Sequence, residues 1–293
     1  MAVAPFDPRR VRLHRERAAA SGRDAWFLHD RIADDLAERL EAVNRTFAHV
    51  LVLGGGPAFA KALQLRPHAR ARIAGAVVTA DWAGAEVLCD PERLPFREEA
   101  FDLVVSILAL HWVNDLPGAL IQIRRSLKPD GLFLGAQLGG RTLHELRGVL
   151  LAAEAEIRGG AALRIAPFAD ALDMAGLLQR AGFALPVADR DTATVRYRDP
   201  LRLLADLRAM GETSALAERA PPLTRATLFR AMALYRERFS AEDGRVPATF
   251  EVLTATGWSP HESQQKPLRP GAARMRLADA LGVQEHSAGE KPG

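Results

Sequence analysis

A strand that runs straight into three glycines constrains this chain more than any other stretch. His49-Val50-Leu51-Val52-Leu53 is a short apolar run, and Gly54-Gly55-Gly56-Pro57-Ala58 follows with no spacer. Glycines at that point permit positive φ and remove the Cβ atoms that block close backbone approach. Buried parallel strands use such a turn to open a nucleotide-cradling loop. Any tight turn uses glycine as well, so the rest of the chain has to decide between the two readings.

The following ninety residues alternate. Ala74–Asp81 reads as a second strand ending in an acid, Glu86–Asp90 as a short third strand ending in another, and Phe101–Ile107 as a fourth. The near-continuous apolar run of the fourth suits a strand covered on both faces. His111-Trp112-Val113-Asn114-Asp115 then leads to a helix over 116–127. Lys128-Pro129-Asp130-Gly131 reads as a turn, and Leu132–Ala136 as a fifth strand. Short connections between alternating strands and helices imply a parallel, doubly wound sheet whose ligands lie outside the carboxyl ends of the strands. The glycine turn, Asp81, Asp90 and the Ile107–Trp112 segment all fall at predicted carboxyl ends.

Upstream, 9–21 reads as a basic helix, and 26–43 as an amphipathic helix expected to pack on the first sheet edge. Downstream, 141–157, 170–181, 200–210 and 224–239 read as helices. Phe183–Tyr197 and Ala248–Thr256 read as strands. The helices at 200–239 therefore form an insertion between the sixth and seventh strands, expected as a cap over the rim. The expected organisation is N-terminal helices 1–44, core 45–199, cap 200–245, last strand 246–258 and tail 259–293, the last ten residues disordered.

Charge narrows the partners. Residues 1–23 hold six arginines (Arg9, Arg10, Arg12, Arg15, Arg17 and Arg23) against Asp7 and Glu16, a local +4 in a chain of net +3. The remainder is therefore close to neutral, which argues against nucleic acid. It leaves either a solvated helix face or contact with an acidic partner or membrane surface. A single cysteine, Cys89, excludes an internal disulfide framework. No run approaches the ~20 apolar residues of a membrane-spanning helix. No metal set is evident: His14 and Glu16, two apart on a helix, do not share a face.

With these motifs in place the chain resembles the class I S-adenosylmethionine (SAM) methyltransferases. The features are the strand–glycine turn, Asp81, Asp90, Leu94-Pro95-Phe96, Phe101–Ser106 and Leu127–Gly131. Narrower matches are Leu110–Pro117, Gly139–Arg147, Met210-Gly211-Glu212, Asp243-Gly244 with Val246–Thr249, Gly257-Trp258 and His261–Gln264. Together they look like the family of mitochondrial complex I assembly factor 5, similar in turn to the malonyl-carrier-protein O-methyltransferases. The resemblance implies a seven-stranded Rossmann-like methyltransferase sheet with a helical cap between the last two strands.

The resemblance also implies SAM as cofactor, held by Gly54, Gly55 and Gly56 at its methionine end, by Asp81 at the ribose and Asp90 at the adenine, with Ile107 beside them. It implies a protein substrate, a complex I subunit among the candidates, modified by methyl transfer or, as in the family's mitochondrial member, by arginine hydroxylation. Both chemistries are open at this point. A carrier-protein carboxyl O-methyltransferase and a non-catalytic assembly factor stand as alternatives. His111 is the candidate base, and Trp112, His144 and Glu145 are candidate substrate contacts. Two departures sit in the glycine stretch: Val52 stands where the family has an acid, and Ala58 stands where it has a third spaced glycine, expected to place a Cβ near the cofactor. The expected location is the bacterial cytoplasm, with the mitochondrial matrix as the alternative.

Overall fold

The computed structural model describes residues 4–22, 24–265 and 282. In chain order its elements are α1 (Pro8–Ala20), α2 (Phe27–Glu41), β1 (Phe47–Leu53), α3 (Gly56–Leu65), α4 (Pro67–Ala71), β2 (Ile73–Asp81), β3 (Val87–Leu88) and β4 (Phe101–Ile107). Then follow α5 (Leu116–Ser126), β5 (Leu127–Leu138), α6 (His144–Arg158), α7 (Ala171–Arg180), β6 (Ala184–Tyr197), α8 (Pro200–Met210), α9 (Arg225–Phe239) and β7 (Val246–Trp258). Helix starts follow from local chemistry. Asp7, Asp115, Asp170, Asp199 and Thr224 accept hydrogen bonds from the first turns of α1, α5, α7, α8 and α9. Each such cap contributes about 1 kcal/mol.

The strands form one seven-stranded sheet in the order β3-β2-β1-β4-β5-β7-β6. The first five in that order are parallel, whereas β7 runs antiparallel to both β5 and β6. The strand order reverses between β1 and β4, which is where a doubly wound sheet opens a crevice.

Side chains alternate across the central strands, as period-two geometry requires. Val50 and Val52 of β1, Leu103 and Val105 of β4, and Leu132 and Leu134 of β5 join one core, with α2, α3, α6 and α9. Leu51, Leu53, Val104 and Phe133 join the other, with α5 and α7. Both faces are thus covered.

Three expectations change. Helix α2 packs on a sheet face, not on an edge: Leu28, Ile32, Leu36 and Leu40 share the core of β1, β4 and β5. Lys128–Gly131 does not precede β5 but lies inside it. The pairing with β4 jumps from Phe101↔Leu127 to Leu103↔Leu132, and Asp130 takes φ 62° within that bulge. The inserted helices do not act as one cap. Helix α9 lies along α6, and its Met232, Leu234 and Tyr235 belong to the main core. Only the segment after α8 reaches the rim, where it meets the N-terminus. Phe6 and Leu216 form an antiparallel bridge, Asp7 N donates to Ala215 O, and Ala217 N donates to Pro5 O.

Residues up to Pro260 form one unit and His261–Gly293 a second. Within the second, His261–Gln265 is described as a turn in which His261 Nδ1 lies 2.7 Å from Ser263 Oγ. The expectation of a disordered terminus concerns residues outside those described.

Candidate active site

The β1–α3 turn is shaped first by its own neighbours. Gly54 and Gly55 take φ of 68° and 57°, and an added Cβ would lie 2.5 Å from Ile107 O at the first and 2.7 Å from Ile107 Cγ2 at the second. The end of β4 therefore demands both glycines whatever binds outside them. Ile107, fully buried, is the packing partner of this turn. A cavity of about 100 Å³ opens beyond it, lined by Gly54–Gly56, Asp81 at the end of β2, and Ala19 and Trp26 from the N-terminal helical region. Asp81 Oδ1 accepts from Trp82 N at 2.7 Å. Burial raises the Asp81 pKa, and Arg15 opposes that rise.

Asp90 closes its own turn, accepting from Glu92 N at 2.9 Å through its side chain and from Arg93 N through its carbonyl. It is not among the residues lining the cavity. Val52 and Ala58, 1% and 3% exposed, point into the main core. The Ala58 Cβ therefore does not crowd the cavity, contrary to the expectation.

Beside the glycine turn lies a buried polar cluster. Leu108, just past β4, takes φ 50°. Such a conformation costs a branched residue about 1–3 kcal/mol and collects at functional sites. Its carbonyl accepts from Arg15 Nη2. The same nitrogen lies 3.0 Å from Glu212 Oε1. Glu212 Oε2 accepts from His111 Nε2 at 2.7 Å and from Trp112 Nε1 at 2.9 Å. Arg15 Nη1 lies 3.5 Å from His29 Nε2. Burial alone would raise the Glu212 pKa, but Arg15 and then His111 outweigh it and hold the carboxyl well below its usual range. His29 is driven down to about 3 by burial and then by Arg15. Because an ionised carboxylate only accepts, His111 must carry its proton on Nε2, leaving Nδ1 buried and without a partner.

A second cavity of about 180 Å³ lies on the other side of Trp112 and Glu212, which line it together with Leu146, Phe168, Leu207 and Thr213. Trp112 is wedged edge-on between Phe6 and Phe168, with ring centroids 5.2 and 5.3 Å away. Arg15, Glu212, His111 and Trp112 thus form a bridge between two cavities.

His144 and Glu145 do not join this site. His144 is exposed and its Nδ1 lies 3.1 Å from Arg141 O. Glu145 is buried, accepting from the Thr249 hydroxyl and, at 3.2 Å, from Thr249 N. It ties α6 to β7 and leaves no surface for a substrate.

Sequence reasoning placed Arg15 on a solvated basic face, gave Glu212 a motif but no role, and passed over His29. The signals were present. Val11, Arg15 and Ala18 fall at helical spacing and are all buried, as are His29, Ala33, Leu36 and Leu40. Among the described residues no group of three His, Cys, Asp or Glu side chains is gathered to hold a metal ion, and no helix is long and apolar enough to cross a membrane.

By donor type the first cavity fits SAM. The glycine turn carries the N-terminus of α3, Asp81 offers a carboxylate at the second strand end, and Trp26 Nε1 is a buried indole donor with no partner. By size it is partly closed, since ligand pockets usually enclose roughly 300–1,000 Å³. The whole cofactor therefore requires the walls supplied by α1 and Trp26 to move outward.

Residues 56–135 match the family model for a methyltransferase domain. The chain is 40% identical over 270 residues to the mitochondrial arginine-hydroxylase NDUFAF5 of Danio rerio, covering 86% of this chain and 81% of that one. The Homo sapiens protein of that name is likewise 40% identical, over 266 residues, covering 86% of this chain and 76% of the relative. The malonyl-[acyl-carrier protein] O-methyltransferase of Halorhodospira halophila is 35% identical over 283 residues, covering 92% and 94%. The crystal structure of Bacillus halodurans BH2331 superposes with a TM-score of 0.50 at 19% identity, over 78% of this chain and 99% of that one, and shares the fold.

Proposed function

Since this chain belongs to the class I SAM-dependent methyltransferases, in the branch that holds the NDUFAF5 arginine hydroxylases and the malonyl-carrier-protein O-methyltransferases, we propose that it modifies a protein side chain in the assembly of respiratory complex I. The observation that carries this reading is the bridge of Arg15, Glu212, His111 and Trp112 between the two cavities. Cofactor and substrate can enter from opposite sides and meet at it.

When bound, SAM supplies a sulfonium with an electrophilic methyl group. The protein's part is positioning, which can provide most of the acceleration in such a transfer. Gly54–Gly56 and Asp81 hold the cofactor, with Asp81 directed to its hydroxyl groups. Arg15 fixes the Leu108 carbonyl and the Glu212 carboxylate in one arrangement. Glu212 in turn orients the His111 ring, whose Nδ1 is left to take a proton. The exposed Arg9 and Arg12 on α1 suit an acidic surface of the partner or a membrane. The bacterial cytoplasm is the location we assign, and the mitochondrial relatives make the matrix the other.

A second reading, a carboxyl O-methyltransferase of an acyl carrier protein, draws on the 94% coverage of the Halorhodospira relative. A third, an assembly factor with a reduced cofactor site, draws on Val52 and on the small first cavity. Titration with SAM followed by thermal unfolding tests the cofactor. At a hundredfold excess over Kd, stability should rise by about 2.7 kcal/mol, and no rise leaves only the third reading. Intact-mass analysis of complex I subunits incubated with protein and SAM then reads the chemistry: the mass of a methylene means methylation and that of an oxygen means hydroxylation.

A further inference from the structure

The second cavity is apolar along most of its wall, so what it lacks is informative. At roughly 30 Å³ per water, its 180 Å³ is about six waters' worth, the room of one extended side chain. Its polar lining groups are mostly spent. Arg164 gives Nε and Nη2 to Glu154 Oε1 and also reaches Pro221 O. Thr142 Oγ1 donates to Glu251 O and accepts from Glu251 N.

Two adjacent lining residues are different. Glu212 Oε1 and Thr213 Oγ1 are buried oxygens without a hydrogen-bond partner. Glu212 Oε1 has the charge of Arg15 at 3.0 Å, but out of line for a hydrogen bond. Buried oxygens of this kind are costly unless something fills them. An ionised carboxylate can only accept, so the filling group must donate.

We infer that this cavity is the substrate side-chain site and takes one long aliphatic chain ending in a donor cation, a guanidinium or an ammonium, from a protein. The assignment rests on the function proposed above and narrows it. A malonyl group would bring its own carboxylate against Glu212, two like charges in a dry cavity. Arg164, the basic residue of the lining, is already committed to Glu154. The stem of an arginine or lysine matches the walls formed by Leu146, Phe168 and Leu207, and its head matches the two oxygens.

The test uses the whole chain and small probes. n-Butylguanidinium and n-pentanoate are titrated separately while the Trp112 indole N–H resonance is followed by NMR. Butylguanidinium should give a saturable shift, and pentanoate at equal concentration should give none. Ala166→Phe, which fills the cavity from its wall, should abolish the shift. If that variant does not fold, Thr213→Val should weaken binding about fivefold, the worth of one hydrogen bond. Equal or tighter binding of pentanoate overturns the inference, as does a guanidinium shift that survives Ala166→Phe or no shift at all. SAM is titrated in the same samples. A SAM response without a guanidinium response removes this inference alone, and a guanidinium response without a SAM response removes the proposed function and leaves the cavity assignment standing.

Discussion

Glu145 and Glu212 are both acids shut away from solvent, 3% and 6% exposed, and both lie in stretches that mark the family. Their surroundings are finished differently. Glu145 spends its two oxygens on the hydroxyl and the backbone N–H of Thr249. Its neighbour Glu251 is closed in the same way, by Arg141 N and by Thr142. Glu212 is instead held by Arg15, His111 and Trp112, and the group around it still has His111 Nδ1, His29 Nδ1 and Glu212 Oε1 to give. A cluster that only fastens helix to sheet satisfies every member. A cluster that waits for a ligand keeps capacity in reserve and tolerates strain, here at Leu108.

The sharpest way to break this contrast is to remove each acid in turn. Glu212→Leu strands the Arg15 charge in the interior and should cost about 3–5 kcal/mol in urea unfolding. The double variant Arg15→Met with Glu212→Leu should recover most of that loss, because an apolar pair of similar size needs no desolvation. It should nonetheless stay without activity. Glu145→Gln should cost about 1–3 kcal/mol and leave the SAM titration where it was. A shifted SAM midpoint in Glu145→Gln would erase the distinction between the two clusters.

Acid should find the same difference. His29 has a folded pKa of about 3 against 6.5 for a free imidazole, so below pH 6.5 the unfolded chain takes up a proton that the folded one refuses. The contribution is therefore fully present above pH 6.5 and is lost as pH falls toward the folded value. The slope is about 1.4 kcal/mol per unit, or about 2.7 kcal/mol by pH 4.5. Glu212, whose folded pKa lies below its ordinary value of 4.5, adds a loss of the same sign only at lower pH. In His29→Phe the fall between pH 6.5 and 4.5 should flatten, as read from unfolding midpoints. An unchanged slope would mean that His29 is charged in the folded protein and that the cluster is wetter than its geometry indicates.

Strands and helices were legible because their patterns are local. Alternating acid-terminated strands gave β1 through β5, and capping acids with glycine stops gave the helix ends. The antiparallel run of β7, between β5 and β6, was not legible, because strand order is decided by packing across the sheet and leaves no mark in one segment. The site divides along the same line. Gly54, Asp81 and Trp112 were found where a single stretch displays them. Arg15 was missed because a charge count treats every arginine on a helix as solvated, and only its spacing with Val11 and Ala18 says otherwise. Glu212 was seen without a role because its partners lie 101 and 100 residues away in sequence. His144 and Glu145 were misread as cleft residues because position after a strand does not say which way a helix turns its faces.

The smallest effect separates a family pattern from a local structure. Ala58 stands where a glycine was expected, and a methyl group against the cofactor would make Ala58→Gly tighten SAM binding. The geometry predicts otherwise. The Ala58 Cβ is 3% exposed, on the side of α3 that meets the main core, and the residue is not in the wall of the first cavity. Ala58→Gly should therefore remove a buried methyl group and loosen the first turn of α3, a cost of about 1 kcal/mol, with Kd for SAM unchanged within experimental error. Calorimetric titration of the variant reads both possibilities directly. A tenfold gain in affinity would place the methyl group against the cofactor and return the departure at this position to the binding site. An unchanged Kd with a lowered unfolding midpoint would assign it to the core, where Gly54 and Gly55 already show that this turn answers first to the end of β4.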